Sequence, residues 1–292
     1  MALLNLQALT SRLGLCRLAA VLFTCLAFSL VIHAGAWSGR LGSWCIFAWI
    51  FSFTGTTLVL LLELTGLVGK APVSWRNAPI ALAALCSLLC LSASIIYPIY
   101  FVDVAGRSEK GYTISATIFS CLATLANAAE VSYSRARPGE TSGYMATVPG
   151  LLKVVEAFMA CVIFVFVPGA GYTRYPALQW CLAVYSICFI LAVIVILLCV
   201  TERTAWLPSP LERSLGAYAL LCGLLYVSAT VVWPIYCFDK RYGSPQRPSH
   251  CPGYGTCSWD LQVAVACLTA FNLLVYVADL VHSGRLVFIR TA

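Results

Sequence analysis

Residue types able to do chemistry are scarce in this chain of 292 residues: 10% are charged, and the three histidines, His33, His250 and His282, lie in separate regions. No H-E-x-x-H metal motif, G-x-S-x-G nucleophile elbow or Walker A phosphate loop occurs. No catalytic residue, metal or cofactor is therefore expected. The charges that stand out do so through their surroundings. Glu63, Glu130, Glu156 and Asp279 sit inside long apolar runs, and Lys153 precedes Glu156 by three positions, on the same helical face. A carboxylate at mid-bilayer costs about 2.5–3.5 kcal/mol on insertion scales and commonly marks a transport path. These four lie within a turn or two of the ends of their runs, so the plain expectation is that they reach water or pair. The functional alternative is that Glu130 and Asp279, with Lys153 and Glu156, set the cytosolic face or bind a partner there.

Most of the fifteen cysteines fall within apolar runs, where they serve as small packing residues. Cys251 and Cys257 fall outside, and a disulfide closing that short ring would stabilise it by roughly 2 kcal/mol in the chain-entropy account. Cys237 is near enough to compete, so three single pairings remain open, with Cys251 to Cys257 favoured. Cys16 and Cys199 are candidate palmitoylation positions, with packing as the competing role. Val131, Tyr133 and Arg135 fit a weak pattern proposed for cholesterol contact, one that many unrelated helices also satisfy.

The elements that must position these residues follow from composition. Hydrophobic side chains make up 61% of the chain and mean hydropathy is +0.90, whereas a soluble domain averages about half apolar and about a quarter charged. The net charge of +7 is scattered and contains no polybasic run, which argues against nucleic acid. A helix needs about 20 apolar residues to cross roughly 30 Å of hydrocarbon. Such runs occur at Leu15 to Ala36, Trp44 to Leu67, Pro79 to Phe101, Tyr112 to Tyr133, Val148 to Val167, Ala177 to Val200, Leu215 to Phe238 and Trp259 to Val281. Runs such as Ile190 to Val200 are apolar on every side, which suits helices and not the alternating strands of a barrel. The sequence thus predicts an all-α integral membrane protein of eight transmembrane helices. The segments between them are too short to fold as a soluble catalytic domain.

Eight crossings put both termini on one side, and eleven of the eighteen Lys and Arg fall on that side, which makes it cytosolic by the positive-inside bias. Ala34-Gly35-Ala36 resembles a signal-peptidase site, and cleavage there would leave seven spans and a receptor-like topology. The apolar run before it is longer than the roughly 7–15 residues of a signal core, which opposes cleavage.

An internal repeat opposes it too. A shift of 136 positions places Gly14-Leu15 and Arg17 on Gly150-Leu151 and Lys153, Trp44-Cys45 on Trp180-Cys181, and Pro98-Ile99-Tyr100 on Pro234-Ile235-Tyr236. In the fourth spans the shift becomes 149, matching Ala129-Glu130 and Ser134 to Ala278-Asp279 and Ser283. The expected organisation is two parallel four-helix repeats: a cytosolic N-terminus over 1–11, a first unit over 12–137, a cytosolic linker over 138–147, a second unit over 148–284 and a cytosolic C-terminus over 285–292.

Several stretches resemble the myeloid-associated differentiation marker family of tandem MARVEL-domain proteins. They are Ser74-Trp75-Arg76-Asn77, Leu91 through Pro98, the run from Arg135 to Glu140, Gly143 through Val154, and Val277 through Ser283. The resemblance implies two MARVEL four-helix units and a role in membrane apposition, cholesterol-rich microdomains, vesicle traffic or cell contacts. The expected protein is a non-catalytic organiser of the plasma membrane or of vesicles. Its expected partners are membrane lipids including cholesterol, further copies of itself or other membrane proteins. The rival expectation is a transporter or channel using a cleft between the repeats.

Overall fold

The computed structural model describes residues 9–70, 72–102, 109–135, 143–202, 211–249, 251 and 257–291, with side chains assigned except at 211, 212 and 284–291. Residues 138–142 of the expected linker and His250 lie outside the described residues, as do the side chains of the expected C-terminal tail.

Among the described residues there are eight helices long and apolar enough to span a membrane, and no strands. They are α1 (Arg12–Ala34), α2 (Gly39–Leu64), α3 (Ala78–Tyr97), α4 (Lys110–Ser134), α5 (Val148–Phe166), α6 (Pro176–Val200), α7 (Leu211–Phe238) and α8 (Ser258–Thr291). The protein is an all-α multi-pass membrane protein. All eight spans fall where the apolar runs put them, because backbone groups in lipid must find partners within their own helix.

Local signals set the ends. Ser11 caps α1 by accepting the Gly14 N–H at 3.0 Å, and Gly35 closes it in the left-handed region at φ 62°, its N–H bonded to the Ile32 carbonyl. The repeat-equivalent prolines behave differently. Pro98 ends α3 and opens a π-helical turn through Val102, whereas Pro234 sits inside α7, which continues to Phe238. Both lie near helix ends, where the lost amide bond costs least.

The chain divides into two compact units, Met1–Thr147 with Val200–Glu202, and Val148–Cys199 with Arg203–Ala292. In each, the radial order is that of a protein whose solvent is lipid. The buried stripe of α1 is Gly14, Arg17, Ala20, Thr24, Ala27 and Val31, and that of α4 is Thr113, Ala116, Ser120, Ala123, Asn127 and Glu130. Steps of three and four keep each stripe on one face, and its small residues let helices approach closely. The large apolar side chains point away: Leu15, Leu22, Ile118 and Leu125 are all more than half exposed.

Hydrogen bonds between helices repeat with the sequence. Trp44 donates to Ser92 at 3.1 Å in the first unit, and Trp180 to Ser228 at 3.2 Å in the second. Deeper in, Trp49 donates to Ser120 at 2.8 Å, and the equivalent Tyr185 and Thr269 hydroxyls share a bond of the same length.

Within the first unit, Asn77 at the start of α3 accepts the Met145 amide at 2.9 Å. Ser74 donates its amide to the Val200 carbonyl at 2.7 Å and its hydroxyl to Glu202 at 2.5 Å. Gly143 lies so close that an added Cβ would stand 2.2 Å from Asn77 Oδ1. Gly143→Ala is therefore expected to break the Asn77–Met145 bond and cost about 1–3 kcal/mol, the penalty of an unmet buried group. Thermal unfolding in lipid nanodiscs checks this. Gly55→Ala, whose Cβ meets only the flexible Leu82 side chain at 3.1 Å, is the control expected to unfold near the parent temperature.

Candidate functional site

Arg17 belongs to the small-residue stripe of α1 and faces α4, so its guanidinium has no lipid-facing route to water. The structure satisfies it internally. Its Nε meets Glu130 Oε1 of α4 at 2.5 Å, and its Nη1 meets Glu63 Oε2 of α2 at 2.5 Å. Glu63, the most exposed of the three, also accepts from the Trp75 indole at 3.2 Å. One cation thus binds the ends of two helices to the start of a third, with charge-assisted bonds whose fork suits two carboxylates.

The second unit builds the same device from different parts. Lys153 of α5 is paired with Asp279 of α8 and stands 3.6 Å from Glu156 Oε2, and all three side chains are fully buried. The Lys153 ammonium also lies 4.3 Å from the centre of the Tyr218 ring, a cation–π contact. The Tyr218 hydroxyl donates to Glu156 Oε2 at 2.9 Å and lies 3.3 Å from the Tyr276 hydroxyl. Ser283 reaches Asp279 Oδ1 at 3.5 Å, and Asn272 donates to the Glu156 backbone carbonyl at 3.4 Å.

Arg17 matches Lys153, and Glu130 matches Asp279, so the central pair is common to both units. The second carboxylate is not. The position equivalent to Glu63 is Cys199, and the position equivalent to Glu156 is Ala20, both buried. Each unit keeps one cation and two acids, although the second acid moves from the second helix of the bundle to the first.

The structure therefore places Glu130, Asp279, Lys153 and Glu156 inside the bundles, held by partners within their own unit. The residues that sequence reasoning left out are Arg17, Tyr218, Tyr276 and Asn272. Arg17 was detectable, since its match to Lys153 and that of Glu130 to Asp279 already suggested a repeated cation and acid.

The other candidate positions lie apart. Tyr133 and Arg135 are exposed at the end of α4, with Val131 half-buried. Cys251 and Cys257 stand as a pair with Cα atoms 5.6 Å apart, within disulfide reach, while Cys237 is buried and outside that pair. Nearby, Arg247 forks onto Asp260 at 2.9 and 3.1 Å, and the Trp259 indole donates to the Ser244 carbonyl at 2.9 Å.

Residues 144–282 match the MARVEL family, described as a membrane-associating domain. The chain is 53% identical to the human myeloid-associated differentiation marker, over 97% of this chain and 91% of that protein. It is 52% identical to the Xenopus laevis myeloid-associated differentiation marker homolog, over 98% and 96%. It is 46% identical to the Bos taurus myeloid-associated differentiation marker-like protein 2, over 99% and 96%. No solved structure matches.

Removing one member of a buried ion pair leaves an uncompensated charge at a cost of about 3–5 kcal/mol, whereas replacing all members by neutral groups is far milder. Lys153→Met is accordingly expected to lower the unfolding temperature sharply in nanodiscs. The triple variant Lys153→Met, Glu156→Gln, Asp279→Asn is expected to recover most of the loss. A triple variant no more stable than the single one would show that the cost lies in packing and not in charge.

Proposed function

The chain belongs to the myeloid-associated differentiation marker family, and on that footing we propose that it is a non-catalytic organiser of membrane microdomains, acting in membrane apposition or trafficking. The observation that carries this reading is the direction in which its polar groups face. The buried charges of the spans are paired inside each bundle, and what each bundle offers its surroundings is large apolar side chains such as Leu91, Ile95, Leu224 and Leu274. A rigid apolar wall of this kind acts on the lipids around it through thickness and packing. Cholesterol is the proposed lipid partner, with Tyr133 and Arg135 as an exposed contact at the end of α4. Further copies of the chain or other membrane proteins are the proposed protein partners, and the plasma membrane or vesicles the proposed location.

Reconstitution into giant vesicles with coexisting sterol-rich and sterol-poor phases tests this. The expected result is enrichment in the ordered phase and raised lipid order, with solute leakage at the level of empty vesicles. Solute-dependent flux with unchanged lipid order would overturn the proposal in favour of a transporter.

Both termini are proposed to be cytosolic, which sets Cys251 and Cys257 facing an oxidising compartment as a disulfide. In intact cells, a membrane-impermeant maleimide is expected to label these two cysteines only after treatment with an impermeant reductant. Labelling without reduction would deny the bond, and labelling only after permeabilisation would reverse the orientation.

A further inference from the structure

Three polar atoms in the second unit are buried without a hydrogen-bond partner: Glu156 Oε1, Asn272 Oδ1 and the Tyr226 hydroxyl. All three residues are fully buried. They belong to one cluster. The Asn272 amide donates to the Glu156 backbone carbonyl at 3.4 Å. The Tyr226 ring lies 5.1 Å from that of Tyr276, whose hydroxyl meets Tyr218, the donor to the other oxygen of Glu156.

An unmet polar group surrounded by apolar side chains and lipid is costly, and native proteins meet such demands with a bridging molecule. The demand here is two acceptors and one hydroxyl. A water molecule offers two donors and accepts in return, so its valences match the three atoms. A metal cation suits the site less, because the Lys153 ammonium lies 3.6 Å from the second oxygen of the same carboxylate.

The first unit supplies an internal control. The positions equivalent to Glu156, Asn272 and Tyr226 are Ala20, Ala123 and Cys90. All are buried, and Cys90 contacts Ser52 at 3.4 Å. The three polar residues therefore occur together in one repeat and are absent together from the other, whose own unpartnered buried atoms, Thr57 Oγ1 and Asn127 Oδ1, lie at different positions. We infer that ordered water occupies the interior of the second bundle, held by Glu156 Oε1, Asn272 Oδ1 and the Tyr226 hydroxyl beside the Lys153 cluster.

X-ray radiolytic footprinting of the full chain in lipid nanodiscs reads this directly, since water activated in place oxidises the aromatic ring beside it. Tyr226 is expected to be modified several-fold more than Tyr185. Both are fully buried with ring centroids 5.8 Å apart, but the Tyr185 hydroxyl already has Thr269 as its partner. Equal modification of the two rings overturns the inference. In Asn272→Leu, which removes one of the three atoms, Tyr226 modification is expected to fall to the Tyr185 level, and an unchanged value also overturns it. If that variant fails to fold, the comparison of the two tyrosines in the parent chain decides by itself.

Discussion

A charge with no route to water must carry its counter-charge with it, and both bundles are arranged around that constraint. Arg17 and Lys153 lie on faces turned toward neighbouring helices, so each is stabilised by an acid that the fourth helix of its unit supplies, with a second acid from α2 for Arg17 and from its own helix for Lys153. This fixes more than electrostatics. An ion pair near the helix ends ties the first and fourth helices of each unit at one depth, which restricts how they can slide or rotate against each other. The hydrophobic effect cannot do this in lipid, because an apolar side chain gains nothing by leaving one hydrocarbon environment for another.

The duplication shows how firmly the constraint holds and where it leaves freedom. The indole-to-serine bonds of Trp44 and Trp180 are the same in both units, and the Trp49–Ser120 bond becomes a bond between the Tyr185 and Thr269 hydroxyls at the equivalent positions. The second carboxylate, by contrast, changes helix while the cluster keeps its composition. Charge balance at that depth is thus more strongly held than the identity of the helix that provides it. The second unit carries buried Tyr218, Tyr226, Tyr276 and Asn272 where the first has a half-buried Leu82 and buried Cys90, Asn127 and Ala123.

Pairing polar groups inward also determines what the molecule presents to its environment. With the buried charges of the spans satisfied inside each unit, the outward faces of the helices carry large apolar side chains. Such surfaces act on lipid by shape and thickness, which is the physical basis for the organising role proposed for this family member. The fully enclosed cluster of the second unit meets the same need by a different route, through aromatic hydroxyls as well as acids.

Much of this was legible in the chain itself. Eight apolar runs of bilayer length determine an all-helical membrane protein, since only helices and closed barrels satisfy every backbone group in hydrocarbon and these runs lack the alternation of barrel strands, and the duplicated register reveals which positions are equivalent. What the sequence could not supply is which stripe faces which. The pairing of Arg17 with Glu130 joins residues 113 positions apart, and that of Lys153 with Asp279 joins residues 126 apart. Read along the chain, Glu130 and Asp279 stand close enough to a helix end to reach water. Only the packing of the first helix on the fourth turns them inward, because small residues at the contact let the two backbones approach until an acid and a base must meet.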